Sequence, residues 1–302
     1  MSLRMRIFGT AVRPGMRWFN ARVRDPHYLR AEFERAAQHW FPETPLSVHI
    51  ETCYAGPTGP MGAYWVQSGA ILPDKVILHL HGGGYVVGSP ETHRRVAARL
   101  SRMAKRRVFL PSYRRAPEDP LPAAFDDAVA AHAHLLRIGY APRDIVIGGD
   151  SAGGGLALSL LSHLCETGQR PAGLYAWSPF CDQTFSGASV QENGETDHFF
   201  PGRRVHELPK LILGQLKQDD PRASPLNARY DAPPPVLLQV SRSEILRDDA
   251  FRMAEKLRAA GGDVTLQSWE GAPHVWQFFQ GYFPEAREAV QLTADFVRRC
   301  LD

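Results

Sequence analysis

The stretch Ile145-Val146-Ile147-Gly148-Gly149-Asp150-Ser151-Ala152-Gly153-Gly154-Gly155 decides the fold. Its apolar start, Ile145 to Ile147, reads as a buried strand that ends abruptly in glycines. After Ser151 the period changes. Ala157, Leu160, Leu161 and Leu164 fall at i, i+3, i+4 and i+7, one face of a helix. Ser151 therefore sits on a strand-to-helix turn, inside a G-x-S-x-G arrangement running from Gly149 to Gly153. A turn this sharp strains its central residue, and a side chain two positions to either side would collide with what it packs against. The strain lifts the hydroxyl out of the turn, and the helix N-terminus brings backbone N–H groups beside it. A phosphate cradle is the other use of such glycines, but the chain has neither G-K-[ST] nor G-x-G-x-x-G here.

Strand and helix patterns alternate on both sides of this turn. Residues 1–45 read as helical and amphipathic, with Phe33, Ala36, Ala37 and Trp40 on one face. Short strands are expected at 48–54 and 63–67, parted by the turn Gly56-Pro57-Thr58-Gly59-Pro60. A strand at 76–80 runs into His81-Gly82-Gly83-Gly84-Tyr85, and then come a helix at 92–104, a strand at 108–111 and a helix at 123–136. Beyond the serine helix, a strand at 173–177 ends at Ser178-Pro179. Residues 180–230 lose the alternation and read as a polar excursion with one helix, 205–216. The pattern resumes with strand 236–240, helix 248–260, strand 264–269 and helix 285–299. This is an α/β chain, with a mostly parallel sheet covered by helices on both faces. The divisions are 1–45, a core part 46–179, the excursion 180–230 and a second core part 231–302.

The 302 residues, 44% hydrophobic and 22% charged, suit an ordinary globular protein with one large core. No apolar run approaches the ~20 residues of a membrane span, and residues 7–12 are too short for a signal-peptide core, so a cytoplasmic protein is expected. Cys53, Cys165, Cys181 and Cys300 are scattered, which predicts neither a disulfide framework nor a zinc site. A formal charge of +3 says little about partners. Arginines crowd the first forty residues, but without an aromatic stacking platform they read as a solvated helical face, and no nucleic-acid partner is expected.

A serine hydroxyl needs a base within hydrogen-bond reach, and the base needs a group that orients it. In a doubly wound sheet both project from loops at the carboxyl ends of later strands. The loop after 264–269, Glu270-Gly271-Ala272-Pro273-His274, supplies His274 as base. The loop after 236–240 supplies the acid. Glu244 stands nearest the strand end, whereas Asp248 and Asp249 open a helix, where a carboxylate caps N–H groups. Negative charge on an attacked carbonyl oxygen needs fixed donors, and the N–H groups of Gly83, Gly84 and Ala152 fit that need. His81 reads as a prop for the glycine loop; His198 and His206 lie in the excursion and carry no such reading.

Taken together, His81-Gly-Gly-Gly84 and Gly149-Asp-Ser-Ala-Gly153 resemble the hormone-sensitive-lipase-like esterases, the bacterial family IV carboxylesterases. The likeness extends to Tyr113-Arg-Arg-Ala-Pro-Glu118, Pro122-Ala-Ala-Phe-Asp-Asp127, Ser178-Pro179 and Asp220-Pro-Arg-Ala-Ser-Pro-Leu226, covering roughly residues 75 to 300. It implies an α/β-hydrolase fold, a helical cap built from residues 1–45 and 180–230, and hydrolysis of short- to medium-chain acyl esters without cofactor or metal. A small-molecule ester is the implied partner, and family members often form homodimers. One departure stands out: the family usually has Asp-Pro-Leu-x-Asp where this chain has Glu244-Ile-Leu-Arg-Asp248. Alignment on Leu246 puts Glu244 at the acid position. Asp150 matches the family's Gly-Asp-Ser subgroup and is expected to brace a loop. Trp40, Phe41, Tyr85, Phe199, Phe200, Trp276 and Phe279 are candidates to line the pocket. Lactone, acetyl-ester or amide hydrolysis at the same site, and a catalytically silent receptor on this fold, are the competing readings.

Overall fold

The computed structural model describes residues 2–22, 25–200 and 202–302. The chain opens with helices α1 (Leu3–Arg22) and α2 (Pro26–Trp40) and a hairpin of β1 (Ser47–Gly56) and β2 (Gly59–Ser68). Asp25 caps α2 by accepting the His27 N–H at 2.9 Å, with Pro26 at the first helical position. Then come β3 (Val76–Leu80), α3 (Pro90–Ala104), β4 (Arg107–Pro111), α4 (Ala123–Arg137), β5 (Ile145–Asp150), α5 (Ala152–Glu166) and β6 (Gly173–Trp177). After a long excursion holding the short helices α6 (Ser189–Glu192) and α7 (Leu208–Ile212), the chain returns as β7 (Val236–Ser241), α8 (Arg247–Ala259), β8 (Val264–Trp269) and α9 (Pro284–Leu301).

The strands form one sheet in the order β1-β2-β4-β3-β5-β6-β7-β8, antiparallel at β1–β2 and β2–β4 and parallel from β4 to β8. Strand alternation sorts the core. Val76, Leu78, Leu80, Ile145 and Ile147 face the helices α4, α5 and α8. Ile77 and Val146 face the opposite layer, with Val96 and Leu100 of α3 and Val290 and Phe296 of α9. Both sets are buried, which is why these strands read as unbroken apolar runs. From β3 the chain winds one way to β4, then crosses back to β5 and winds the other way. The carboxyl ends of β3 and β5 therefore flank the switch point of the sheet, where a crevice opens.

Two expectations need correction. The helix expected at 205–216 is only a 3-10 turn, Gly202–Glu207, followed by α7. Gly214 has φ +56, which no helix continues through. The excursion is also less polar than its composition suggests: Phe185, Phe199, Phe200, Val205, Leu208 and Leu211 turn inward on the cavity described below.

Candidate active site

Ser151 follows β5 and precedes α5 with φ 53° and ψ −120°, a conformation that costs of order 1–3 kcal/mol and must be held by its surroundings. Its N–H donates to the Trp177 carbonyl at 2.8 Å, and its carbonyl accepts from Gly155 and Phe180, each at 3.0 Å. The elements that pin the turn are thus β6, α5 and the start of the excursion. A Cβ on Gly153 would lie 2.1 Å from the Leu80 carbonyl oxygen and 2.4 Å from that of His81. The clash is with the neighbouring strand β3, so α5 can approach the sheet only if residue 153 has no side chain. Gly153→Ala is expected to lower stability by about 1–3 kcal/mol or more and to depress turnover by displacing Ser151. A thermal melt and activity matching the parent chain would refute this account of the turn.

His274, on the loop after β8, brings its Nε2 to 2.9 Å from the Ser151 hydroxyl. Its Nδ1 lies 2.6 Å from Oε2 of Glu244, on the loop after β7. The other carboxylate oxygen accepts from the Ser178 hydroxyl at 2.8 Å and the Ser241 N–H at 2.9 Å. Glu244 is 1% exposed, so these donors are what make a buried carboxylate tolerable. Burial alone would lower the His274 pKa. The charge and hydrogen bond of Glu244, with Asp197 and Asp150 farther off, outweigh it and leave the ring above its ordinary value. An imidazole so placed can take a proton from the serine and be stabilised while charged. Asp248 and Asp249 do not reach His274, nor do they cap their own helix. Asp248 accepts the Ser189 N–H, and Asp249 accepts those of Cys181 and Asp182, so both hold the excursion against α8. Enclosure pushes the Asp249 pKa up to about 7.

The Gly82-Gly83-Gly84 loop leaves the carboxyl end of β3. Gly83 has φ +122, and a Cβ there would sit 2.2 Å from the Val87 carbonyl oxygen. The Gly83 carbonyl accepts from Val86 and Val87, at 3.0 and 2.9 Å, which closes the loop into a tight turn. Among the described residues no acceptor meets the N–H of Gly83 or Gly84, and both residues line the same cavity as Ser151 and His274. Ala152 is the first residue of α5, directly after the serine. Asp150 ties the two loops together, because its Oδ1 accepts the Gly82 N–H at 3.1 Å while His79 approaches the same oxygen at 3.3 Å. Burial would raise the Asp150 pKa, but the neighbouring His93 and His79 outweigh it and hold the carboxyl far below its usual range. His81 stacks on Tyr113, ring centroids 3.9 Å apart, and its Nδ1 lies 3.0 Å from the Gly82 carbonyl.

A family profile described as the alpha/beta hydrolase fold matches residues 77–278. An acetyl-hydrolase of Streptomyces hygroscopicus is 35% identical over 241 residues, covering 80% of each chain. An esterase of Acinetobacter venetianus is 35% identical over 224 residues, covering 74% of each. The crystal structure of an esterase from the bacterial hormone-sensitive lipase family superposes with a TM-score of 0.91, at 35% identity, covering 100% of this chain and 99% of that one. The chain belongs to the hormone-sensitive-lipase-like ester hydrolases, on the α/β-hydrolase fold.

In this member of the family the motifs beyond the serine turn have mechanical jobs. Arg114 pairs with the buried Asp127 at 2.7 Å, and Arg115 donates to the Gly88 carbonyl, so the Tyr113–Glu118 segment clamps the glycine loop from behind. Arg30 of α2 grips Glu118 through both of its terminal nitrogens and donates to the Val86 carbonyl at 2.7 Å. α2 is thereby tied to the loop carrying Gly83 and Gly84.

A cavity of about 840 Å³ rises over Ser151. Trp40, Phe41, Phe199, Phe200 and Phe279 line it as expected, whereas Tyr85 and Trp276 are buried core side chains outside it. α1 contributes Phe8 and Val12 to its wall, and α2 contributes Leu29 and Phe33. The roles of two site residues escaped the sequence reading. Ser178 holds Glu244, and its place at the end of β6 was the available signal. Asp197, in the excursion, offered none.

Proposed function

We propose that the protein is a serine carboxylesterase acting on short- to medium-chain acyl esters through Ser151, His274 and Glu244, with Gly83, Gly84 and Ala152 as oxyanion donors. The observation that carries this reading is one imidazole bridging a buried carboxylate and the hydroxyl of a strained serine, at 2.6 and 2.9 Å. His274 takes the serine proton as Oγ bonds to the acyl carbon, and the carbonyl oxygen gains its charge among the backbone N–H groups. The C–O bond to the alcohol then breaks, and His274 passes its proton to the leaving alkoxide. Water, deprotonated by the same ring, opens the acyl-enzyme and releases the acid. Glu244 keeps Nδ1 protonated, so that Nε2 is free to accept. Every step uses this chain's own groups and water. Residues 1–45 and 180–230 serve as a cap over two core parts, 46–179 and 231–302. The cap's aromatic wall suits neutral, apolar esters.

A panel of p-nitrophenyl esters from acetate to palmitate tests the substrate range, with the highest kcat/KM expected between acetate and roughly hexanoate. A fluorophosphonate is expected to label Ser151 once per chain and to abolish turnover, because only an activated serine reacts readily. Absence of labelling at Ser151, or fastest cleavage of the long-chain esters, would count against the reading.

A further inference from the structure

The acid and base of the triad are held from the cap as well as from the core. Asp197, 1% exposed, gathers three amides: Oδ1 accepts from Phe199 at 2.8 Å and Phe200 at 2.9 Å, and Oδ2 accepts from Ile245 at 2.9 Å. Ile245 follows Glu244 directly, and the Phe200 ring stands edge-on to the His274 ring with centroids 4.9 Å apart. One carboxylate therefore fixes backbone on both sides of the acid–base pair. Asn193 adds to the hold by donating to the Glu244 carbonyl at 2.7 Å. On the outer side of the same segment, Arg17 of α1 donates to the carbonyls of Gly194 and Asp197 at 3.0 Å and of Phe200 at 3.3 Å. A neutral side chain would brace a loop at a smaller desolvation cost. What a carboxylate adds is acceptor capacity on both oxygens and a negative charge that the imidazole feels.

We propose that Asp197 is a positioning residue for the hydrolysis, and that it makes docking of α1 through Arg17 and alignment of Glu244 with His274 a single event. This rests on the triad reading above. A parent chain inert towards esters would defeat that reading, whereas an active parent indistinguishable from its Asp197 variant defeats only this one. The charged or titratable groups facing His274 are Glu244 from the β7 loop, Asp150 from the serine turn and Asp197 from the cap, while His198 beside Asp197 feels Arg13 and Glu244.

The test is steady-state kinetics of the full chain on p-nitrophenyl butyrate across pH, with thermal melts, for Asp197→Asn and Arg17→Ala. An amide side chain in place of the Asp197 carboxylate must turn its NH2 towards either the Ile245 amide or the Phe199 and Phe200 amides, so one side of the hold is lost. The expected result for D197N is a kcat about tenfold lower, as for a small misplacement of catalytic groups. KM should stay within about twofold, as for an interaction felt mainly in the transition state. The acid limb of kcat/KM should move to lower pH, because a charge that raised the imidazole pKa has gone. R17A keeps that charge. It is expected to lower kcat about threefold, a milder displacement of the same groups, without moving the limb. A D197N protein that melts earlier yet keeps parental kcat and pH limb would reduce Asp197 to a structural brace. Parental kcat in R17A would overturn the coupling to the cap whether or not D197N folds.

Discussion

Ser151→Ala is expected to lower kcat for p-nitrophenyl butyrate by roughly 10⁴- to 10⁶-fold, the scale seen when a triad nucleophile is removed. Among the described residues, the cavity wall offers no second serine, threonine or cysteine that could attack in its place. Burial drives the Cys181 thiol pKa well up, so it is a poor substitute even nearby. The fold should survive. The turn is held by backbone bonds to Trp177, Gly155 and Phe180, and the hydroxyl contributes only its contact with His274. Stability should change by about 1 kcal/mol or less, one hydrogen bond's worth. Thermal melts and circular dichroism alongside the assay separate loss of chemistry from loss of structure. Residual turnover within tenfold of the parent would show that another group performs the attack.

Glu244→Gln is expected to cost about 10⁴-fold in kcat, the loss known for amide replacement of a triad acid. The loss comes from the wrong tautomer of His274. Ser178 and Ser241 both donate to Oε1, so the carbonyl oxygen of the new side-chain amide must stay there and its NH2 must face His274. Nδ1 then becomes the acceptor, and Nε2 carries its hydrogen towards Ser151, where it can no longer take the proton. Loss of the carboxylate charge also lowers the imidazole pKa. The base must be neutral to act, so activity fails as pH falls through that pKa, and the acid limb of kcat/KM moves to lower pH in the variant. Glu244→Asp restores the residue usual in the family but shortens the reach to Nδ1 by a methylene. It should fall between, roughly 10- to 100-fold down. Parental activity in E244Q would return the acid role to another residue.

The serine turn was legible because the period of the apolar residues changes at Ser151, and because glycine is the only residue that fits where α5 meets β3. Glu244 was legible as the acid nearest the end of β7, and His274 as the histidine in the Gly-Pro loop after β8. What lay hidden depended on chain segments far apart in sequence. Asp248 and Asp249 look like caps of α8 when only local spacing is considered, yet their partners are amides some sixty residues earlier, at Ser189, Cys181 and Asp182. Asp197 sits in a segment without strand or helix periodicity, and its partner Ile245 joins it only after the excursion folds back. Part of the excursion's apolar lining was hidden for the same reason: Phe199 and Phe200 stood out as pocket candidates, but nothing in the spacing of Phe185, Val205, Leu208 and Leu211 points them at the cavity.

The first forty residues supply much of the pocket wall, and this sets an order of events during biosynthesis. Phe8 rests on Phe279, with centroids 4.9 Å apart, and Phe41 rests on Phe278 at 4.7 Å. At ~5–20 residues per second on a ribosome, those partners are translated roughly a quarter of a minute to a minute later. Until then Phe8 and Phe41 lack the rings they rest on, so the nascent chain exposes a sticky leader for most of its translation. Holdase chaperones should engage that leader, and their depletion should send newly made chains into inclusion bodies before the finished enzyme loses any heat resistance.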